Sequence, residues 1–156
     1  MNKDLSKKIE ALTLELTEIP SIVGTREENN VVEKIYQKLK NMAYFKKHPE
    51  GVRYVYVKDD PLNRKSVLAM VKGQKGNSNK TVILIGHTDT VGISDYGDLK
   101  EYATKPIELA EKLKEISLPQ DVLRDLESEE YLFGRGIFDM KCGVATLITL
   151  IETISD

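Results

Sequence analysis

Residues 81–85, Thr-Val-Ile-Leu-Ile, constrain the fold more than any other stretch, because they form a short, continuous apolar run closed by Gly86. Side chains alternate between the two faces of a strand, so a run with no polar alternation predicts a strand covered on both faces. Residues 81–86 are therefore expected as a central strand, with other strands beside them and helices across them. Two further β-branched and aromatic runs, 52–57 and 66–71, flank the turn signal Asp59-Asp60-Pro61-Leu62-Asn63 and predict a hairpin. Tyr131-Leu132-Phe133, leading into Gly134, reads as another strand.

Helical spacing accounts for much of the rest. Leu5, Ile9, Leu12, Leu16 and Ile19 predict an amphipathic helix over 3–18 that ends before Pro20. Thr25-Arg26-Glu27-Glu28 has the spacing of a capping box, and the helix it would start carries Val31, Val32, Ile35, Leu39 and Met42 on one side. Leu109, Leu113 and Ile116 predict a helix over 106–116 stopped by Pro119, and Val122 and Leu126 a short one after it. From about Met140 the chain turns helical again. Val144 to Ile151 is apolar nearly all round, which predicts burial between a sheet and another layer. Residues 92–130 carry the least pattern. Alternating helices and strands make this an α/β or three-layer chain.

Composition narrows the function classes. The 156 residues suit one domain with a real core. A formal net charge of −2, with both signs interleaved, leaves no basic footprint for nucleic acid or an anionic membrane. The longest apolar run, 144–151, is about eight residues where a membrane span needs roughly twenty. Met1 to Lys8 is polar and has no apolar signal core. A single cysteine, Cys142, makes no internal disulfide and fits a reducing compartment, so a cytoplasmic location is expected.

Two short runs carry the chemistry. In Gly86-His87-Thr88-Asp89-Thr90-Val91 an imidazole and a carboxylate stand two residues apart, and at a strand end positions i and i+2 point to the same side. His87 can then ligate a metal while Asp89 accepts the far ring N–H and fixes the tautomer. The bland alternative for His87 is a hydrogen-bonded histidine at a strand end. In Gly134-Arg135-Gly136-Ile137-Phe138-Asp139-Met140-Lys141 a lone carboxylate follows a Gly-rich turn before a helix. Asp139 taken alone reads as a helix N-cap. The two runs read together, in this order, form half of a metal site.

As a pair they resemble the N-terminal signatures of the co-catalytic zinc aminoacylase, deacetylase and carboxypeptidase superfamily, which includes acetylornithine deacetylase and succinyl-diaminopimelate desuccinylase. Ile19-Pro20-Ser21-Ile22-Val23-Gly24-Thr25-Arg26-Glu27 resembles the segment these enzymes carry after their first helix. Asp95-Tyr96-Gly97-Asp98-Leu99-Lys100 makes the arginine-utilisation (RocB-type) branch the nearest match. The resemblance implies a three-layer α/β fold of the phosphorylase/hydrolase type, here its N-terminal portion, with a mixed sheet flanked by helices. It makes residues 1–156 the N-terminal part of a zinc hydrolase catalytic domain, without the second domain and C-terminal half. His87 would be a ligand of one zinc, Asp139 the carboxylate bridging two, and Asp89 the catalytic carboxylate that orients His87. Cobalt or manganese would also suit such a mixed N/O site. A cis peptide at Asp139–Met140 is implied as well.

The same family needs a Glu-Glu pair after the last helix, a further carboxylate and a C-terminal histidine, none of which is in this sequence. Glu129-Glu130 lies upstream of Asp139 and reads as a solvated loop end, and His48 reads as a surface residue. Cys142 reads as a small filler rather than a reactive thiol, and Lys141 as an exposed lysine at a helix start. The leading expectation is a metal-dependent hydrolase of the amide or peptide bond of a small N-acyl amino acid or peptide, within arginine utilisation. This chain alone should be inactive, as a truncated or split form needing its missing C-terminal half or a homo-oligomeric partner. The alternative is a non-catalytic binding or dimerisation module that kept the sheet and docks through the 144–151 helix. A phosphate-binding reading of Gly134-x-Gly136 fits neither a dinucleotide fingerprint nor a P-loop.

Overall fold

The computed structural model describes residues 3–76 and 78–155. The first helix, α1 (Lys3–Thr17), buries Leu12, Thr13, Leu16 and Thr17. The two threonines are tolerated there because their hydroxyls donate back to the carbonyls of Ile9 and Thr13, both at 2.8 Å. This face packs on the last helix, α6 (Cys142–Ser155), whose Val144, Ala145, Ile148 and Thr149 are buried. Thr149 bonds to the Ala145 carbonyl in the same way. Small and hydroxyl side chains on both helices keep the two backbones close.

Between them in sequence, α2 (Glu28–Lys40) buries Val31, Val32, Ile35 and Leu39, and the short α3 (Ala43–Lys47) buries Phe45. The hairpin forms as expected: β1 (Val52–Tyr56) and β2 (Lys65–Ala69) pair antiparallel, from Val52 with Ala69 to Tyr56 with Lys65. Its turn is held by Asp60, whose carboxylate accepts from the Arg64 backbone N–H at 2.7 Å and from its guanidinium. α2 lies against the hairpin through a Tyr36–Tyr54 stack at 4.0 Å and a Lys65–Glu33 ion pair at 2.8 Å. The buried core runs from α1 through α6 to α2 and the hairpin. Further along come a 3-10 stretch (Ser94–Tyr102), α4 (Pro106–Leu113) and α5 (Gln120–Ser128).

Four expectations are corrected. Residues 81–86 pair with no strand among the described residues, and Val82, Ile83 and Ile85 are 83%, 78% and 83% exposed instead of covered. The run is apolar, but among the described residues no strand lies beside it. Tyr131-Leu132-Phe133 is likewise unpaired. The sheet is consequently two-stranded and antiparallel among the described residues, where a mixed sheet was expected. Finally, Thr25 and Glu28 do not form the capping box. The Thr25 hydroxyl donates to the Ile22 carbonyl at 2.7 Å, and Glu28 accepts from the Gly24 N–H at 2.6 Å, so the two brace the turn before α2. No helix of the described residues is long and apolar enough to cross a membrane.

Candidate metal centre

Segments far apart in sequence converge on one corner. Ile22 and Thr90 form an isolated parallel bridge, with Thr90 N–H donating to Ser21 O and Val23 N–H to Thr90 O, both at 2.8 Å. The buried Ser21 hydroxyl donates to the Thr88 carbonyl at 2.7 Å. Gly86 sits so close to α6 that a Cβ there would come within 3.2 Å of Val144 and 3.3 Å of Met140. These contacts hold His87 and Asp89 in place without a strand neighbour.

The second run reaches the same corner through a tight turn. Gly136 has φ +80, and its carbonyl accepts the Lys141 N–H at 2.8 Å, closing a wide turn over Ile137–Lys141. The Asp139–Met140 peptide is cis, as the resemblance implies. Arg135 ties the turn to the segment that marked the branch. Its N–H donates to the Ala103 carbonyl at 2.6 Å, its guanidinium pairs with Asp95, and it lies 5.1 Å from the Tyr96 ring.

His87 and Asp139, 52 positions apart, meet here: His87 Nε2 stands 2.9 Å from Asp139 Oδ1. The other ring nitrogen faces Asp89, at 3.1 Å from its backbone carbonyl and 3.5 Å from its carboxylate. The carbonyl is thus the nearer acceptor, which shares the orienting role expected of the carboxylate alone. The Asp139 carboxylate raises the His87 pKa; partial burial opposes this, and Asp89 adds to it. Asp139 is not an N-cap, since α6 begins only at Cys142 and the carboxylate turns to His87. Imidazole nitrogen and carboxylate oxygen at one point fit a borderline divalent metal, with the Asp89 oxygens facing the other ring nitrogen of the histidine. Among the described residues no third His, Cys, Asp or Glu joins them.

Lys141 overturns the expectation of an exposed side chain. It is 1% exposed, and its ammonium donates to the Ile19 carbonyl at 2.7 Å. Burial pushes its pKa down from 10.5 to about 8. The sign follows from linkage. Below about 8 both states hold the proton and the folded state bears a constant penalty, whereas between there and 10.5 only the unfolded chain holds it. Stability should therefore rise with pH across that window, by about 3 kcal/mol in all. Urea midpoints for the wild type and Lys141→Met at pH 7.5 and pH 10 measure it. The wild type should gain more than the variant, and equal gains would contradict the burial penalty.

The remaining candidates are peripheral. His48 is a surface residue, its ring 4.6 Å from Tyr44 and its Nδ1 3.6 Å from Glu50. Glu129 and Glu130 are exposed at the end of α5. Cys142 is half-buried with its thiol 3.5 Å from the Phe138 carbonyl. The contributions that sequence reasoning missed are those of Lys141, Ser21 and Arg135. Only their positions inside the three resembling segments could have signalled them.

Two known proteins resemble the chain over most of its length. The chain is 39% identical over 140 residues, 90% of its length, to the protein RocB of Bacillus subtilis (strain 168). In sequence the chain is RocB-like. It is also 40% identical over 154 residues, 97% of its length, to the uncharacterized protein YqjN of the same organism. It spans about a quarter of each relative, 25% of RocB and 27% of YqjN. No family model matches it, and no solved structure does.

Proposed function

We propose that this RocB-like chain supplies part of the catalytic domain of a metal-dependent hydrolase. It would act on the amide or peptide bond of a small N-acyl amino acid or peptide, within arginine utilisation. The observation that carries the proposal is the contact of His87 Nε2 with Asp139 Oδ1 at 2.9 Å, with Asp89 behind the other ring nitrogen. His87 and Asp139 would hold zinc, and Asp89 would keep the His87 tautomer that leaves Nε2 free to ligate. Bound zinc lowers the pKa of a coordinated water and polarises a scissile carbonyl. Catalytic zinc takes three protein ligands, so the remaining ones would come from polypeptide outside these residues. The substrate's amino-acid portion would be recognised there as well.

Asp89→Asn tests the orienting role. Zinc affinity should fall about tenfold, because the backbone carbonyl of Asp89 still accepts from the ring while the charge is lost. Isothermal titration gives the ratio, and an unchanged affinity would remove Asp89 from the site. A second reading, a non-catalytic docking module, is favoured by the exposed apolar run at 82–85. It requires that partner affinity survive both His87→Ala and Asp139→Asn and be lost on Leu147→Asp.

A further inference from the structure

One short segment, residues 19–23, touches both halves of the metal corner. On the His87 side the Ser21 hydroxyl donates to the Thr88 carbonyl at 2.7 Å, Thr90 N–H to the Ser21 carbonyl at 2.8 Å, and Val23 N–H to the Thr90 carbonyl at 2.8 Å. On the Asp139 side the Lys141 ammonium donates to the Ile19 carbonyl at 2.7 Å. The two sides also meet at Gly136. A Cβ there would stand 2.5 Å from Thr90 Cγ2, and 3.5 Å and 3.6 Å from Cδ and Cε of Lys141.

The Asp139 side chain has little of its own to hold it. It is 83% exposed, and among the described residues its carboxylate is bonded to His87 alone. Where Oδ1 lies is therefore set by the turn Ile137–Lys141. Lys141 fastens that turn twice, through its backbone N–H to the Gly136 carbonyl and through its side chain to Ile19. The second fastening is costly. The side chain is 1% exposed, and among the described residues no carboxylate pairs with it and one carbonyl is all that its three N–H donors find. A buried charge without a counter-charge lowers stability, and an apolar side chain of similar volume is commonly neutral or better in its place. Packing against Gly136 would be met as well by methionine; the bond to Ile19 would not.

We infer that Lys141 is a positioning residue: its ammonium locks the Asp139 turn to residues 19–23, and so sets Asp139 opposite His87, at the expense of folding stability. That this geometry serves a metal rests on the zinc reading above, whereas the geometry itself belongs to the metal-free chain.

Lys141→Met, compared with the wild type at pH 7.5, tests this. In EDTA the wild type should show NOEs from the His87 ring protons to the Asp139 β protons. The variant should lose them, while its urea midpoint stays level or rises. With zinc added, the variant should bind on the order of tenfold more weakly. Ile148→Val is the control for general loosening: it should lower the midpoint and leave both the NOEs and zinc affinity as they are. A Lys141→Met chain that fails to fold, or whose midpoint falls, would make Lys141 a support of the fold and overturn the inference. Unchanged NOEs or unchanged zinc affinity in that variant would overturn it too, and leave the zinc reading intact. A wild type that shows the NOEs but binds no zinc would remove the zinc reading, and the NOE comparison would still decide the positioning role. Absence of the NOEs from the wild type would refute both.

Discussion

Gly136→Ala should lower folding stability by about 2–4 kcal/mol, the sum of a left-handed backbone penalty and an overpacking cost. The residue has φ +80, and a Cβ there would stand 2.5 Å from Thr90 Cγ2. Neither atom can yield easily. Gly136 closes the turn that carries Asp139, and Thr90 is bonded on both sides of its peptide to Ser21 and Val23. Gly24→Ala is the internal control, since Gly24 also has φ +80 but nothing lies within 4 Å of its missing Cβ. That variant should show the backbone penalty alone, about 1–2 kcal/mol. Adding Thr90→Ser, which removes Cγ2, should restore most of the difference between the two glycine variants. Equal urea midpoints for Gly136→Ala and Gly24→Ala would mean that the two motif segments are not in contact.

The second large effect is on metal binding. His87→Ala and Asp139→Asn should each take zinc binding below detection in calorimetry, because each leaves a single ligand on this chain. Both changes should leave the thermal midpoint close to wild type: the side chains are 46% and 83% exposed, and neither belongs to the core. That separation matters, since a lost site in an unfolded variant says nothing about ligation. His48→Ala should bind zinc as the wild type does. If His87→Ala retained full affinity, the assignment of the site would fail whatever the stability data showed.

The sequence exposed some of this structure and concealed the rest for identifiable reasons. α1 and the β1–β2 hairpin were legible because their patterns are local: apolar residues at helical spacing, and two β-rich runs around an Asp-Pro turn. The run at 81–85 was legible as an apolar segment, but its burial depends on neighbours that no local pattern supplies. Lys141 looked like any solvated lysine at a helix start. What buries it is the return of the Ile19 segment, 122 positions away, and no spacing rule encodes that. The Arg135–Asp95 pair and the brace formed by Thr25 and Glu28 were hidden in the same way, since partners in loops are chosen by tertiary geometry. For the site itself, His87 and Asp139 were each ambiguous alone. They became a site only as a pair in a given order, and the fold brings that pair to hydrogen-bond distance.

The chain has two histidines, and this makes one spectrum sufficient to test the central claim. Long-range ¹⁵N–¹H spectra of the imidazoles, recorded while zinc is added, report His87 and His48 side by side. The account predicts that the His87 Nε2 resonance shifts while His48 stays unmoved until zinc is in large excess, and that Asp139→Asn abolishes the shift. Equal, non-selective shifts of both histidines, or a His87 response indifferent to Asp139→Asn, would contradict it.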